Sequence, residues 1–242
     1  MTDIDTVDAR KTVFANPNYR GLDHMKWHHL AFTGLIWAAA FCLTRFHIRG
    51  KENVPAKGPL VVVANHMHNA DSLLLLVAFP RYINYMAKEQ LFTNRIIARF
   101  MHWARVFPVV KNGPIGSQRS AIRTAKSLLH DGLVLGVFPE GQRSQNGKLI
   151  EGQPGPIFLA MEMDAPLVPV GITGTEKLKG WGWISRPMVT ISIGQPFRLP
   201  GYGPGERREK LPILAHSTME HIADLLPPEY HGVYKKTFES QT

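Results

Sequence analysis

A histidine and an aspartate stand close enough in the sequence to act as a general base and its orienting carboxylate. His66 and Asp71 follow the apolar run Leu60–Ala64, and the apolar run Leu73–Val77 comes just after them. The first run predicts a buried strand and the second a buried helix, so both side chains would lie on the turn between them. A neutral imidazole accepts a hydroxyl proton near pH 7, and a carboxylate fixes its tautomer. Residues 65–71 contain no Ser or Cys, so we expect the pair to activate a hydroxyl of the substrate.

The same spacing also has a purely structural interpretation. Asp71 would cap the helix through its side-chain oxygen, and His66 would only pack against its surroundings. The chain contains 11 histidines. This pair alone therefore does not decide between the two interpretations.

A second polar loop follows another predicted strand. The apolar run Leu133–Phe138 is followed by Glu140, Gly141 and Arg143. Alternating strands and helices form parallel units, and ligands bind where the carboxyl ends of parallel strands meet. We therefore expect Glu140 and Arg143 to leave the sheet at the same edge as His66. Gly141 permits a tight turn, and the guanidinium of Arg143 suits a phosphate or carboxylate. The alternative is a solvated Glu140–Arg143 ion pair, which would contribute little to stability.

Together the two loops resemble the motifs of the glycerolipid acyltransferase family, whose best-known members are 1-acylglycerol-3-phosphate acyltransferases. The family carries the patterns N-H-x-x-x-x-D and F-P-E-G-T-R-S, which residues 65–71 and 138–144 match with one exception. Three further stretches resemble family blocks and occur in the family's order, at residues 87–92, 107–111 and 165–170. The resemblance covers roughly residues 46–200.

The resemblance implies both a fold and an activity. The fold would be α/β, with a single, mostly parallel central sheet flanked by helices and an N-terminal membrane-associating helical segment. The activity would be O-acyl transfer from acyl-CoA or acyl carrier protein (acyl-ACP) to a lysophospholipid, with 1-acylglycerol-3-phosphate giving phosphatidic acid. Two residues would be catalytic, His66 and Asp71, and four would bind the substrate, Lys111, Glu140, Gly141 and Arg143. No metal is expected, and no cofactor beyond the acyl donor.

Three departures from the family patterns concern the acceptor. Gln142 replaces a threonine, and both side chains can form hydrogen bonds. Lys111 replaces an arginine, which keeps the charge but loses bidentate geometry. In the family pattern F-K-x-G, which corresponds to Gly152–Gly155, Gln153 stands in place of the lysine. If that lysine binds the acceptor phosphate, the acceptor here would differ from lysophosphatidic acid.

Two functions of other classes compete with this one. His66, His68 and Asp71 resemble the H-x-H-x-D-H zinc cluster of metallo-β-lactamase-like hydrolases, but the adjoining final histidine is missing. Further ligands would have to come from distant histidines, namely His102, His130, His216 or His221. The other competitor is a non-catalytic lipid-binding protein on the same scaffold. The missing lysine favours it, and the intact residues of the two motifs oppose it.

The composition is that of a globular protein with anionic partners. Of the 242 residues, 44% are hydrophobic and 19% are charged, so the chain can bury a sizeable core as one α/β domain. The single cysteine, Cys42, excludes an internal disulfide and fits a reducing compartment. The formal net charge of +9 favours lipid headgroups or nucleotide phosphates. Nucleic acid is not expected as a partner, because zinc-finger spacing, basic heptads and aromatic ribonucleoprotein motifs are missing.

The N-terminal part is predicted to associate with a membrane. Residues 1–45 comprise a polar tail and the apolar run Leu30–Leu43, and residues 46–242 would form the acyltransferase domain. The run is shorter than the roughly 20 residues that cross a bilayer. Trp27 and Trp37, flanked by Lys26 and Arg45, suit the headgroup boundary, which indicates a helix lying in one leaflet. A helix packed against the sheet is the alternative. The family resemblance favours a peripheral or monotopic protein on the cytoplasmic face of the membrane.

Apolar periodicity predicts the remaining elements. Strands are expected at residues 46–49, 83–87, 106–110, 167–172 and 189–193. Helices are expected at residues 94–103, 117–130, 156–162 and 206–226, the last interrupted at Pro212. Two tryptophans beside two lysines in Lys177–Trp183 predict a loop that either enters the membrane interface near the mouth of the site or packs locally.

Overall fold

A computed structural model describes residues 27–88, 92–95, 98–99, 101, 106–109 and 115–235. The helices in this part of the chain are α1 (Trp27–Leu43), α2 (Ala70–Ala78), α3 (Ile115–His130), α4 (Gly155–Glu162) and α5 (Pro204–Ala223). The strands are β1 (Arg45–Arg49), β2 (Leu60–Ala64), β3 (Ile83–Lys88), β4 (Val106–Val109), β5 (Val134–Val137), β6 (Leu167–Thr173) and β7 (Met188–Ile193). Short 3-10 segments occur at Lys51–Asn53, Thr175–Leu178, Gly182–Ser185, Pro228–Tyr230 and Gly232–Tyr234.

The strands form one sheet in the order β1-β7-β6-β2-β5-β3-β4. All neighbouring strands are parallel except β6 and β7, so the predicted mostly parallel α/β sheet is confirmed. Strands β2 and β5 are direct neighbours, with Val63 opposite Val137. The loops that follow these two strands therefore leave the sheet at the same edge, as the sequence predicted.

The core lies on both faces of the sheet. Along β2, Val61 and Val63 belong to the layer that contains residues of α4 and α5. Leu60, Val62 and Ala64 belong to the opposite layer, where α1 and α2 pack. Every residue of β2 is buried, which explains why its sequence is uniformly apolar rather than alternating. Burial of each such Val or Leu side chain contributes roughly 1.5–3 kcal/mol, so the strand that carries the site is firmly held.

Helix α1 packs against the fold on one side and exposes apolar side chains on the other. Phe32 and Ala40 are buried in the layer that also contains α2. Large apolar side chains on the other side are exposed: Leu35, Trp37, Phe41 and Leu43. One side of the helix therefore packs against the fold, and association of the other side with a membrane stays a prediction. In the described part of the chain, no helix has the length and hydropathy needed to cross a membrane.

Helix α5 runs without a break through Pro212, so the predicted interruption is wrong. A proline inside a helix removes one backbone hydrogen bond and costs about 3 kcal/mol. Pro212 itself is exposed, while Leu214, Met219 and Ile222 on the following turns are buried. Packing of these side chains offsets the cost and keeps the helix continuous.

The predicted strands agree with the observed ones to within one residue at each end, although Val110 lies outside the described residues. The helix predicted at residues 94–103 lies partly outside them. The strand predicted from Phe46 begins at Arg45, directly after α1. The division into residues 1–45 and 46–242 stays a prediction.

Candidate active site

Asp71 organises the turn between β2 and α2. Its Oδ2 atom accepts hydrogen bonds from the backbone N–H groups of Met67 (2.7 Å) and His68 (2.8 Å) and from Nδ1 of His66 (2.8 Å). The residue is fully buried (0% exposed), and a buried carboxylate is tolerated only with donors of this kind. These donors belong to residues that precede the helix, whose N-cap is Asn69. The interpretation of Asp71 as a mere helix cap is therefore wrong.

The contact with Asp71 determines which nitrogen of His66 can act as a base. A carboxylate only accepts hydrogen bonds, so the ring proton sits on Nδ1 and the lone pair on Nε2. Nε2 has no hydrogen-bond partner among the described residues, and 18% of the side chain remains exposed. The ring stacks on Phe138 with a centroid distance of 4.0 Å and an angle of 17°. Tyr85 lies parallel to Phe138 at 6.1 Å, so the plane of the imidazole is held by packing.

The second polar loop is tied directly to the first. The N–H of Ser144 donates to the carbonyl of His66 at 2.7 Å. A turn at residues 138–141 closes through the N–H of Gly141 and the carbonyl of Phe138 at 3.0 Å. Gly141 has φ 65°, a left-handed conformation that glycine adopts without strain. The predicted convergence of the two loops is therefore confirmed. Gly141 shapes the turn of the second loop, and binding of substrate by Gly141 stays a prediction.

Glu140 lies inside the fold beside the backbone of His66. It is 3% exposed, and neither carboxyl oxygen has a hydrogen-bond partner among the described residues. Burial raises the pKa of Glu140 to about 8, the nearby backbone N–H of His66 offsets part of that rise, and the charge of Asp71 adds to it. Glu140 is therefore mainly protonated at pH 7. The alternative of a solvated ion pair with Arg143 is wrong, because Glu140 is buried and Arg143 is exposed. Binding of substrate by Glu140 stays a prediction.

Cationic groups gather on the open side of the site. Burial lowers the pKa of His68, the charge of Asp71 opposes this, and the charges of Arg143, Lys179 and His66 lower it further. Nδ1 of His68 accepts a hydrogen bond from the N–H of Ala70 at 3.2 Å. His68 is thus a neutral, half-buried neighbour of two exposed cations. Lys111, the other predicted binding residue, lies outside the described residues.

Asn65, the first residue of the matched pattern at 65–71, has a structural role that the sequence did not predict. Its side chain is buried at the end of β2 and pairs with the backbone of Ile172 in β6. The amide nitrogen donates to the Ile172 carbonyl at 2.9 Å, and the Ile172 N–H donates to the amide oxygen at 2.7 Å. Asn65 thereby fixes the point at which the chain leaves the sheet, one residue before His66. A polar residue directly after an uninterrupted apolar strand was the available signal.

The described residues give the zinc interpretation no support. Among them, no group of three or more His, Cys, Asp or Glu side chains is arranged so that it could hold a metal ion. Nδ1 of His66 is engaged by Asp71, and Nδ1 of His68 by the N–H of Ala70.

A family model described as Acyltransferase matches residues 45–173, which is more than half of the chain. The chain belongs to the acyltransferase family. The matched residues of this acyltransferase include His66, Asp71, Glu140 and Arg143, whereas Lys179 lies beyond them.

Relatives of the acyltransferase occur in bacteria and plants. It is 29% identical over 179 residues to a 1-acyl-sn-glycerol-3-phosphate acyltransferase of Bacillus subtilis, covering 74% of this chain and 86% of that one. It is 30% identical over 160 residues to the chloroplastic 1-acyl-sn-glycerol-3-phosphate acyltransferase BAT2 of Brassica napus, covering 65% of this chain and 45% of that protein. The chain thus spans less than half the length of the plant relative.

A solved structure shows the same fold. The crystal structure of the 1-acyl-sn-glycerophosphate (LPA) acyltransferase PlsC from Thermotoga maritima superimposes with a TM-score of 0.59. The match covers 86% of each chain at 23% sequence identity. At this identity the likeness supports the α/β fold and carries no argument about substrates.

Proposed function

We propose that this acyltransferase moves a fatty acyl group from acyl-CoA or acyl-ACP to the hydroxyl of a lysophospholipid, with 1-acylglycerol-3-phosphate as the acceptor. The observation that carries the proposal is the 2.8 Å contact between His66 Nδ1 and Asp71 Oδ2, which leaves Nε2 available to a substrate. The names of the relatives support the acceptor, since they are called 1-acyl-sn-glycerol-3-phosphate acyltransferases.

In the proposed reaction, the acceptor hydroxyl lies at Nε2 of His66 and beside the carbonyl carbon of the acyl thioester. As the hydroxyl oxygen attacks that carbon, its proton passes to Nε2. The buried carboxylate of Asp71 stabilises the resulting imidazolium. When the tetrahedral intermediate collapses, the C–S bond breaks and the leaving thiolate takes the proton from Nε2. The products are an ester and a free thiol, and His66 returns to its neutral form.

With His66 as a positioned general base, the hydroxyl of the acceptor can attack the thioester itself, and no nucleophilic side chain of the protein is needed. General-base assistance by a positioned histidine contributes about 10²–10⁴-fold to the rate, and orientation of the two substrates contributes further. The stack on Phe138 and the hydrogen bond to Asp71 hold the imidazole in one orientation. Arg143 is exposed in the loop that Ser144 ties to the carbonyl of His66, and a guanidinium can hold a phosphate headgroup through two parallel hydrogen bonds.

An exposed apolar surface supports action on a membrane-bound substrate. We define this apolar surface by the side chains Leu35, Trp37, Phe41, Leu43, Trp181, Trp183, Ile184 and Met188. Its two segments meet where the guanidinium of Arg186 donates to the carbonyl of Phe41 at 2.8 Å. Contiguous exposed apolar side chains of this kind mark interaction sites, and tryptophans favour the lipid headgroup boundary. We propose that the protein is peripheral or monotopic, on the cytoplasmic face of a membrane.

The reaction is tested by measuring thiol release and lipid product together. Purified protein is offered acyl-CoA or acyl-ACP with 1-acylglycerol-3-phosphate, with other lysophospholipids, or with no acceptor. We expect thiol release that depends on 1-acylglycerol-3-phosphate and forms phosphatidic acid in equal amount. Thiol release with no acceptor would point to a thioesterase, and lipid binding without any thiol release to a non-catalytic protein. Either result would contradict the proposal.

The membrane assignment is tested with vesicles that contain anionic phospholipids. Replacing Trp181 and Trp183 with Ala should reduce the bound fraction, because both side chains are exposed and apolar. Ile213→Ala serves as the control, since Ile213 is 64% exposed on α5 and does not belong to the apolar surface. Equal binding by all three proteins would contradict a role of these tryptophans at the interface.

A further inference from the structure

We propose that Lys179 binds the phosphate group of the acceptor together with Arg143 and sets the preference for a phosphorylated lysolipid. This inference rests on the proposed function, because it assigns one more residue to the acceptor of that reaction. Lys179 lies beyond the residues that match the family model. Its position beside the active-site loops is seen only in the folded protein.

The ammonium group of Lys179 is held beside the loop that carries Arg143. Its Nζ donates to the carbonyl of Gln145 at 3.4 Å, two residues beyond Arg143. Both cations are also close enough to His68 for their charges to lower its pKa. His68 in turn lies two residues after the base, His66. Lys179 and Arg143 therefore border the same open side of the site.

Neither cation is neutralised within the described part of the chain. The ion pairs found there join other residues, and no carboxylate pairs with Lys179 or Arg143. Glu140, the acidic residue nearest to Arg143 in the sequence, is buried and mainly protonated at pH 7. Glu176, the one nearest to Lys179, accepts a hydrogen bond from the hydroxyl of Tyr230 at 2.9 Å. Two like charges that share one opening repel each other, and an anion placed between them removes that cost. A phosphate monoester, with about two negative charges and several acceptor oxygens, fits such a pair.

The backbone of the loop is built to hold Lys179 in this place. Gly174 begins the segment with φ 86°, and a Cβ there would lie 1.9 Å from the carbonyl oxygen of Met188. A Cβ on Gly182 would lie 1.7 Å from the carbonyl oxygen of Lys177. The N–H of Gly182 donates to the carbonyl of Lys179 at 3.1 Å, which closes a turn directly after the lysine. Only glycine fits these two positions, so the loop has a defined shape.

The acceptor, rather than the acyl donor, brings a phosphate to this place. In a glycerol phosphate the reacting hydroxyl and the phosphate are separated only by the short glycerol unit. When the hydroxyl lies at Nε2 of His66, the phosphate lies within reach of the groups that surround His68. In acyl-CoA and acyl-ACP the long pantetheine arm separates the thioester from every phosphate.

The test compares two variants that lose the same charge from the same loop. Lys179→Gln removes the proposed contact, and Lys177→Gln is the matched control, because Lys177 is exposed and two residues away. Lys179→Arg keeps the charge. The acceptor is a short-chain 1-acylglycerol-3-phosphate below its critical micelle concentration, which removes any effect of membrane binding. The KM for the acceptor is measured at saturating acyl-CoA, and the KM for acyl-CoA at saturating acceptor.

We expect Lys179→Gln to raise the KM for the acceptor about threefold to tenfold, with kcat and the KM for acyl-CoA nearly unchanged. Tenfold corresponds to about 1.4 kcal/mol, a fair value for one charged contact that water partly screens. Lys179→Arg should keep the wild-type KM for the acceptor, because the charge remains. Lys177→Gln should also leave this KM unchanged. Equal acceptor KM values for the two glutamine variants, or a rise in the KM for acyl-CoA alone, would overturn the assignment of Lys179. A wild-type protein that acylates no glycerophosphate would instead overturn the proposed function.

Discussion

The buried carboxyl of Glu140 should make the free energy of unfolding depend on pH, and the substitution Glu140→Gln should remove this dependence. Glu140→Gln keeps the size of the side chain and replaces a titratable group with a neutral one. Burial raises the pKa of Glu140 from its ordinary 4.5 to about 8 in the folded protein. Between these two pH values the folded chain holds a proton that the unfolded chain has lost.

The sign and the size of the effect follow from that difference. A group with a raised pKa in the folded state contributes fully below its unfolded pKa, and this contribution is lost as pH rises through the folded pKa. Wild-type stability should therefore fall with rising pH between about 4.5 and 8, by at most about 1.4 kcal/mol per pH unit from this group. Glu140→Gln removes this slope, so its stability relative to wild type should improve steadily across the window.

The assay is urea unfolding at several pH values between 5 and 9, roughly the window that the two pKa values define. Glu209→Gln is the control, because Glu209 is exposed on α5 and its replacement should leave the slope unchanged. A difference between wild type and Glu140→Gln that stays constant at every pH would refute the account of Glu140 as a buried, protonated carboxyl.

Further substitutions test the parts that hold the base. Asp71→Asn should lower kcat about 10²–10⁴-fold without unfolding the protein, because an amide cannot stabilise the imidazolium of His66; a loss below tenfold in steady-state assays would contradict this role. Asn65→Ala should lower the free energy of unfolding by about 2–4 kcal/mol, since it leaves the N–H and C=O of Ile172 without partners; urea unfolding with an unchanged midpoint would refute it. Phe138→Leu should lower kcat several-fold through loss of the stack on the imidazole, and an unchanged kcat would show that the stack is dispensable.

The sheet could be predicted from the sequence because its central strands are buried on both faces. Strands β2 and β5 are uninterrupted apolar runs, and each ends at a polar loop. Two such runs joined by strands and helices must lie parallel, which places both loops at one edge. The contact between His66 and Asp71 followed from the same reasoning, since their spacing fits the turn from a strand into a helix.

Other features depend on contacts between distant parts of the chain. The sequence placed Glu140 in a loop, but its burial arises from the packing of that loop against the turn after β2. Lys179 stands more than 100 residues beyond His66, and only the folded loop brings it to the same opening. The continuity of α5 through Pro212 likewise results from buried side chains on its following turns. Local patterns carry no information about such long-range packing.

The central claim is that Nε2 of His66 accepts the proton of the acceptor hydroxyl. The most direct test is the rate of phosphatidic acid formation by His66→Ala, compared with His130→Ala at the end of α3, where the side chain is exposed. We predict that His66→Ala loses at least about a hundredfold in kcat while its circular dichroism and vesicle binding match the wild type, and that His130→Ala keeps full activity. A well-folded His66→Ala protein with a kcat within a few-fold of the wild type would contradict the account.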